Sequence, residues 1–135
     1  MSITKLIIEK VSPFNVPVTV EKLIQAAAKK DWQNPAVHNL QQSLAKSGKE
    51  VRPVQVVEIC KPEFSGRMLE LSDERIVSVM MPCRISVYEK ADGKTYVALL
   101  DMTASAASMP LTVAEAMLAA NDESIEIVKS VTGPF

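Results

Sequence analysis

The residues that decide the fold are Cys83-Arg-Ile-Ser-Val-Tyr-Glu89, then Lys90-Ala-Asp-Gly-Lys94, then Thr95-Tyr-Val-Ala-Leu-Leu-Asp-Met102. Two runs rich in β-branched, aromatic and aliphatic residues flank a short polar segment. Asp92-Gly93 supplies the left-handed backbone positions that a hairpin loop needs. Alternation sets Cys83, Ile85 and Val87 on the core face and Arg84, Ser86 and Tyr88 on the other. The stretch therefore reads as two antiparallel strands, 83–89 and 95–102.

Upstream, Val54-Gln-Val-Val-Glu-Ile-Cys60 is a further β-rich run, fenced by Pro53 and Pro62. A short helix is predicted from Pro62, burying Phe64, Met68 and Leu71. Residues 3–11 read as a first strand, punctuated by Pro13, Asn15 and Pro17. Val20, Leu23, Ile24, Ala27 and Ala28 then form one apolar stripe at helical spacing, with Thr19 as the expected N-cap and Lys29 and Lys30 at the negative end. Asn34-Pro35 predicts a second helix, buried through Val37, Leu40 and Leu44 and stopped by Gly48. Beyond the hairpin, Thr103–Ser108 reads as a small-residue connector. Thr112-Val-Ala-Glu115 is a capping box opening a C-terminal helix over 112–132, with a break expected at Asn121-Asp122. Hairpin-linked strands with helices between and after them predict an α+β fold, a curved antiparallel sheet covered on one face by helices.

Composition bounds the function. At 135 residues, 47% hydrophobic and 23% charged, the chain reads as one globular domain. A formal net charge of −1 with scattered basic residues gives no electrostatic footprint for nucleic acid or an anionic membrane. The N-terminus lacks the basic start and apolar stretch of a signal peptide, and no apolar run approaches a membrane span, so a soluble cytoplasmic protein is expected. Cys60 and Cys83 are the only cysteines, too few for a disulfide framework, and are expected as free thiols.

Glu58-Ile-Cys-Lys-Pro-Glu63 and Met81-Pro-Cys-Arg-Ile-Ser-Val-Tyr-Glu89 carry a resemblance. A cysteine followed two residues later by proline, then a proline-cysteine pair leading into a strand, resembles the domain-of-unknown-function family numbered three hundred and two. The similarity covers residues 17–101, leaving the 112–132 helix as an addition. It implies a TATA-binding-protein-like curved sheet and a homodimer, with no established activity. Cys60 and Pro62 match the first motif, Pro82 and Cys83 the second. After Leu100 the chain has Asp101-Met102-Thr103 where the family pattern has aspartate-proline.

Those motifs also hold the chemistry. Cys60 precedes Lys61-Pro62, so a helix N-terminus and a lysine would both favour its thiolate, as for a nucleophile, a persulfide carrier or a soft-metal ligand. Simple burial of the thiol is the competing reading. Cys83 opens a strand and, if the two strands pair, would share a pocket with Cys60. Met68, Met80 and Met81 could join the thiols around copper(I) or a haem iron. Zinc is under-supplied, since two thiolates separated by 22 residues match no finger spacing. His38, the one histidine, falls away from its expected helical stripe and reads as solvent-facing. No glycine-rich phosphate loop and no nucleophile elbow occurs, and with 4% aromatics no base-stacking platform is indicated. The sequence favours a homodimeric binding domain over a catalyst. Its cysteine-lined pocket, with Cys60, Cys83, Pro62 and Pro82, would take a redox-active, sulfur-containing or soft-metal ligand. The alternatives are a thiol enzyme using Cys60 and a structural dimer module with inert cysteines.

Overall fold

The computed structural model describes residues 6–70, 73 and 75–135. The elements run β1 (Ile7–Ser12), α1 (Val16–Lys29), β2 (Val37–Asn39), α2 (Leu40–Ala45), β3 (Val54–Ile59), α3 (Pro62–Glu70), a 3₁₀ segment (Arg75–Met80), β4 (Cys83–Glu89), β5 (Thr95–Leu100), α4 (Thr103–Ala106) and α5 (Leu111–Thr132). The strands form one open antiparallel sheet in the order β1-β5-β4-β3-β2. This is the α+β architecture expected.

The β4–β5 hairpin closes with Glu89 opposite Thr95. Lys90 N–H donates to the Lys94 carbonyl at 3.1 Å, and Gly93 sits at φ 77°, where a side chain would be strained. Asp92 braces the loop by accepting from Lys94 N–H at 2.9 Å and from the Tyr96 hydroxyl at 2.5 Å. The Tyr96 bond, followed by that from Lys94, holds its carboxyl below the usual range. The second strand ends at Leu100 rather than 102, because Met102 N–H turns to Asn121 Oδ1 at 2.9 Å.

One face of the sheet supplies Val57, Ile59, Ile85, Val87, Val97 and Leu99 to a single buried cluster. Helices α1 and α5 pack over it, contributing Leu23, Ala27, Val113, Ala116, Ile127 and Val128. Burial of these side chains, roughly 1.5–3 kcal/mol for each valine, leucine or isoleucine, holds the two layers together.

Several local expectations are corrected. Helix α1 starts at Val16 with Asn15 as N-cap, its Oδ1 accepting from Val18 N–H at 3.0 Å. Pro17 fits that first turn instead of preceding it, and Thr19 is buried with its hydroxyl 2.7 Å from Ser12 Oγ. Asn34-Pro35 opens no helix. Asn34 Nδ2 donates instead to the carbonyls of Glu58 (2.7 Å) and Ala36 (3.1 Å), which draws the chain into the edge strand β2. The helix begins only at Leu40, capped by Asn39. His38 thus lies on a strand opposite Val56, with Nε2 2.9 Å from Glu58 Oε2. The 103–108 connector contains α4, and α5 starts at Leu111 without a side-chain cap. It passes unbroken through Asn121, whose side chain serves Met102 and Asp101 rather than ending the helix. The expected start of the first strand at residues 3–5, and the burial of Leu71, lie outside the described residues.

Candidate functional site

The antiparallel register brings the start of β4 and the end of β5 to one end of the sheet, against α3 and α5. There a cavity of about 210 Å³ opens. Its wall carries Met68, Met80, Met81, Met102, Met117 and Cys83, among Val77, Ile85, Leu99 and Ala120. They come from four stretches of the chain. Met68 lies on the inner face of α3, Met80 ends the 3₁₀ segment, and Met81 precedes the cis-linked Pro82. Cys83 opens β4 opposite Ile59, Met102 follows β5, and Met117 projects from α5. The polar wall residues Asn121 and Ser124 are buried and occupied. Asn121 accepts from Met102 N–H, and Ser124 Oγ donates to the Asn121 carbonyl at 2.9 Å.

Burial pushes the Cys83 thiol up from its ordinary value of 9.0, and charge on nearby Cys60 pushes it further. The group therefore stays a thiol at neutral pH. A raised pKa lowers the thiolate fraction, the reactive form of the group.

Cys60 lies one residue beyond Ile59, at the same end of the sheet as Cys83. A two-way bridge to Gln33 fixes its backbone, with Gln33 N–H to the Cys60 carbonyl at 2.7 Å and Cys60 N–H to the Gln33 carbonyl at 2.9 Å. Its sulfur is 3.6 Å from Ser65 Oγ on α3. Cys60 and Pro62 are not among the residues lining the cavity, whereas Pro82 and Cys83 are. The lysine expected to support a Cys60 thiolate is engaged elsewhere. Lys61 Nζ pairs with Glu123 Oε1 at 2.9 Å and lies 5.2 Å from the Phe64 ring centroid. Trp32 Nε1 donates to the same Glu123 oxygen at 3.0 Å. Desolvation opposes ionisation of Glu123, yet the bonds from Lys61 and Trp32 outweigh it and lower its pKa.

Among the described residues no three His, Cys, Asp or Glu side chains cluster as a metal site. Met102 and Met117 escaped the sequence reading. The signal was present for Met102, because in a hairpin the residues equally far from the loop are neighbours, and Met81-Pro82-Cys83 and Met102 flank the two outer ends. For Met117 only the packing of α5 on α3 makes the connection.

The opposite face of the sheet is covered by no helix among the described residues. Tyr88 and Tyr96 stack there with centroids 6.1 Å apart, the Tyr88 hydroxyl donates to Glu9, and Lys90 Nζ bonds Glu9 at 2.9 Å. Val11 and Leu100 are exposed, also on this face. The apolar stripe of α5 is turned to the core. Val113, Met117, Ala120, Ile127 and Val131 are all buried within the chain.

An open five-stranded antiparallel sheet, helices on one face and a sulfur-lined cavity at its end define a small α+β domain. Within that class the chain belongs to the family described as domain of unknown function DUF302, whose model matches residues 8–129. The match extends past the expected 17–101 on both sides and takes in most of α5. The fold is similar to the crystal structure of an uncharacterised conserved DUF302 protein from Bacillus stearothermophilus, at TM-score 0.83 and 16% identity, covering 93% of this chain and 98% of that one. A comparison with curated proteins finds no match. No helix among the described residues is long and apolar enough to cross a membrane.

Proposed function

We propose that this protein is a binding domain, that the cavity beside Cys83 is its binding site, and that its ligand is small, soft and polarisable. The observation that carries the reading is the convergence of five methionines and a cysteine on one cavity at the sheet's end. Thioethers adapt to irregular apolar ligands and prefer polarisable atoms, which suits a sulfur-containing or redox-active organic molecule, or a soft ion such as copper(I). A volume of about 210 Å³ is below the roughly 300–1,000 Å³ of pockets for larger ligands, which disfavours haem. The engagement of Lys61 by Glu123 and the upward shift of Cys83 both weigh against a thiol enzyme. The test is native mass spectrometry and metal analysis of freshly purified protein, with NMR of ¹³C-labelled methionine methyls during titration. Protein that arrives empty, with methyl signals unmoved by copper(I), small thiols and small apolar molecules alike, would sink the reading.

We further propose that the chain acts as one domain and pairs as a homodimer through the uncovered sheet face. The support is the single buried cluster together with exposed Val11 and Leu100 on that face. Light scattering returning the 14.7 kDa of one chain at micromolar concentration and above would overturn the pairing.

A further inference from the structure

The polar side chains of the cavity wall are committed elsewhere, and this narrows the ligand. Asn121 is bonded to Met102 N–H and to Asp101, and Ser124 donates to the Asn121 carbonyl. Among the described residues no buried side-chain nitrogen or oxygen lacks a partner. Arg84 alternates in β4 with Cys83 and Ile85, which puts it opposite Glu58 on the uncovered face of the sheet. A charged or strongly polar group inside the cavity would therefore lose its hydration with no donor to replace it. What remains to recognise a ligand is the apolar wall itself, with its five methionines.

Size and wall chemistry point to one kind of guest. A water occupies about 30 Å³ of liquid, so a single ion would leave most of the cavity's volume of about 210 Å³ unfilled. An apolar cavity of about 150 Å³ holds a benzene, so this one has room for a ring and a short substituent. Thioether sulfur makes favourable contacts at the edge of an aromatic ring, and the flexible methionine chain adjusts to its outline. No aromatic side chain stands among the described residues of the wall, so a ring inside the cavity would come from the ligand. A saturated guest of the same size would gain the burial without the sulfur contacts.

Resting on the binding-domain reading above, we infer that the ligand is a small, uncharged, single-ring aromatic molecule held among the methionines at the end of the sheet. The probe is ethylbenzene, with ethylcyclohexane as its saturated counterpart, benzoate as the charged one and copper(I) as the soft-ion control. Each is titrated into the full chain, with affinity read by calorimetry and location by the methyl signals of Met68, Met80 and Met117. Ethylbenzene is expected to bind saturably and to shift those methyls by its ring current. It should bind about threefold to tenfold more tightly than ethylcyclohexane, the gain that one sulfur–aromatic contact converts to. Benzoate should bind at least about tenfold more weakly than ethylbenzene. The double substitution Met68→Leu with Met117→Leu removes two sulfurs at nearly constant volume, on α3 and α5. It should shrink the preference for the aromatic ring and leave the affinity for ethylcyclohexane unchanged; if that variant does not fold, the comparison of the probes in the parent chain decides alone. Ethylcyclohexane binding as tightly as ethylbenzene, benzoate binding as tightly as ethylbenzene, or a folded double variant that keeps the full preference overturns the aromatic assignment and leaves the cavity reading intact. Copper(I) moving the methyls while ethylbenzene does not overturns it as well. If no probe moves them, this inference and the binding-domain reading both fall.

Discussion

Replacing each cysteine by serine separates the two thiols, because their surroundings differ. In Cys83→Ser a hydroxyl replaces a thiol at the wall of the apolar cavity, where Asn121 and Ser124 already bond to Met102 N–H and to the Asn121 carbonyl. An under-bonded buried hydroxyl costs about 1–3 kcal/mol by protein mutational measure. Against the 5–15 kcal/mol typical of a domain, a loss of about 2 kcal/mol is a clear leftward move of the urea midpoint. In Cys60→Ser the new hydroxyl faces Ser65 Oγ, which is 3.6 Å from the sulfur it replaces and itself donates to the Lys61 carbonyl at 3.3 Å. That exchange should cost under about 1 kcal/mol, within the range of a substitution away from the core. The same variants isolate each thiol for alkylation at neutral pH. Cys83, in the Cys60→Ser protein, should react many times more slowly than a free thiol, and speed up only when urea unfolds the chain. Equal destabilisation by the two substitutions, or rapid alkylation of Cys83 in folded protein, would refute the assignment of Cys83 to an apolar wall.

Glu123 gives a pH signature. A carboxylate whose folded pKa is lowered contributes stability that is complete above its ordinary value of 4.5 and lost as pH falls through the folded value. Glu123→Gln should therefore reduce stability at pH 7 and flatten its decline on acidification, measured by urea melts from pH 7 to 3; an unchanged slope would refute the pairing. Burial of Cys83 acts in the opposite direction. Its raised pKa contributes stability that is complete below 9.0 and lost as pH rises through the folded value, so alkaline melts of Cys83→Ser should show a shallower loss than the parent. Asn15→Ala removes the acceptor for Val18 N–H and should cost about 1 kcal/mol, read from the same melts.

The hairpin and the core face of the sheet were legible because strand periodicity and turn chemistry agree there. Ile85 and Val87 are buried at 1% and 0%, as alternation required. The stripe of α1 was equally legible, but its start was not. A proline reads as punctuation from outside a helix and as a first-turn residue from inside, and only the Asn15–Val18 bond decides. Residues 34–39 misled for a different reason. Asn34 has the form of a helix cap, yet the carbonyl of Glu58, distant in sequence, provides a better partner than the local turn. At Asn121 a polar residue suited to ending a helix is instead satisfied by Met102 N–H from another segment. The cavity was only half legible. Met68, Met80, Met81 and Cys83 were in view from the sequence, and hairpin register offered Met102, but Met117 joins them only through the packing of α5 on α3, which no window of sequence encodes.

The sheet's two margins bear on how molecules of this chain meet one another in concentrated solution. An unpaired strand margin is a template on which further chains can add by backbone hydrogen bonding, the route to fibres. Here β2 provides only three residues before α2 begins, and β1 carries Glu9 and Lys10 in its centre. A short run abutting a helix provides little ladder to extend, and a charged one is costly to pair with itself in a growing stack. Lateral polymerisation is thereby discouraged at both margins of the sheet.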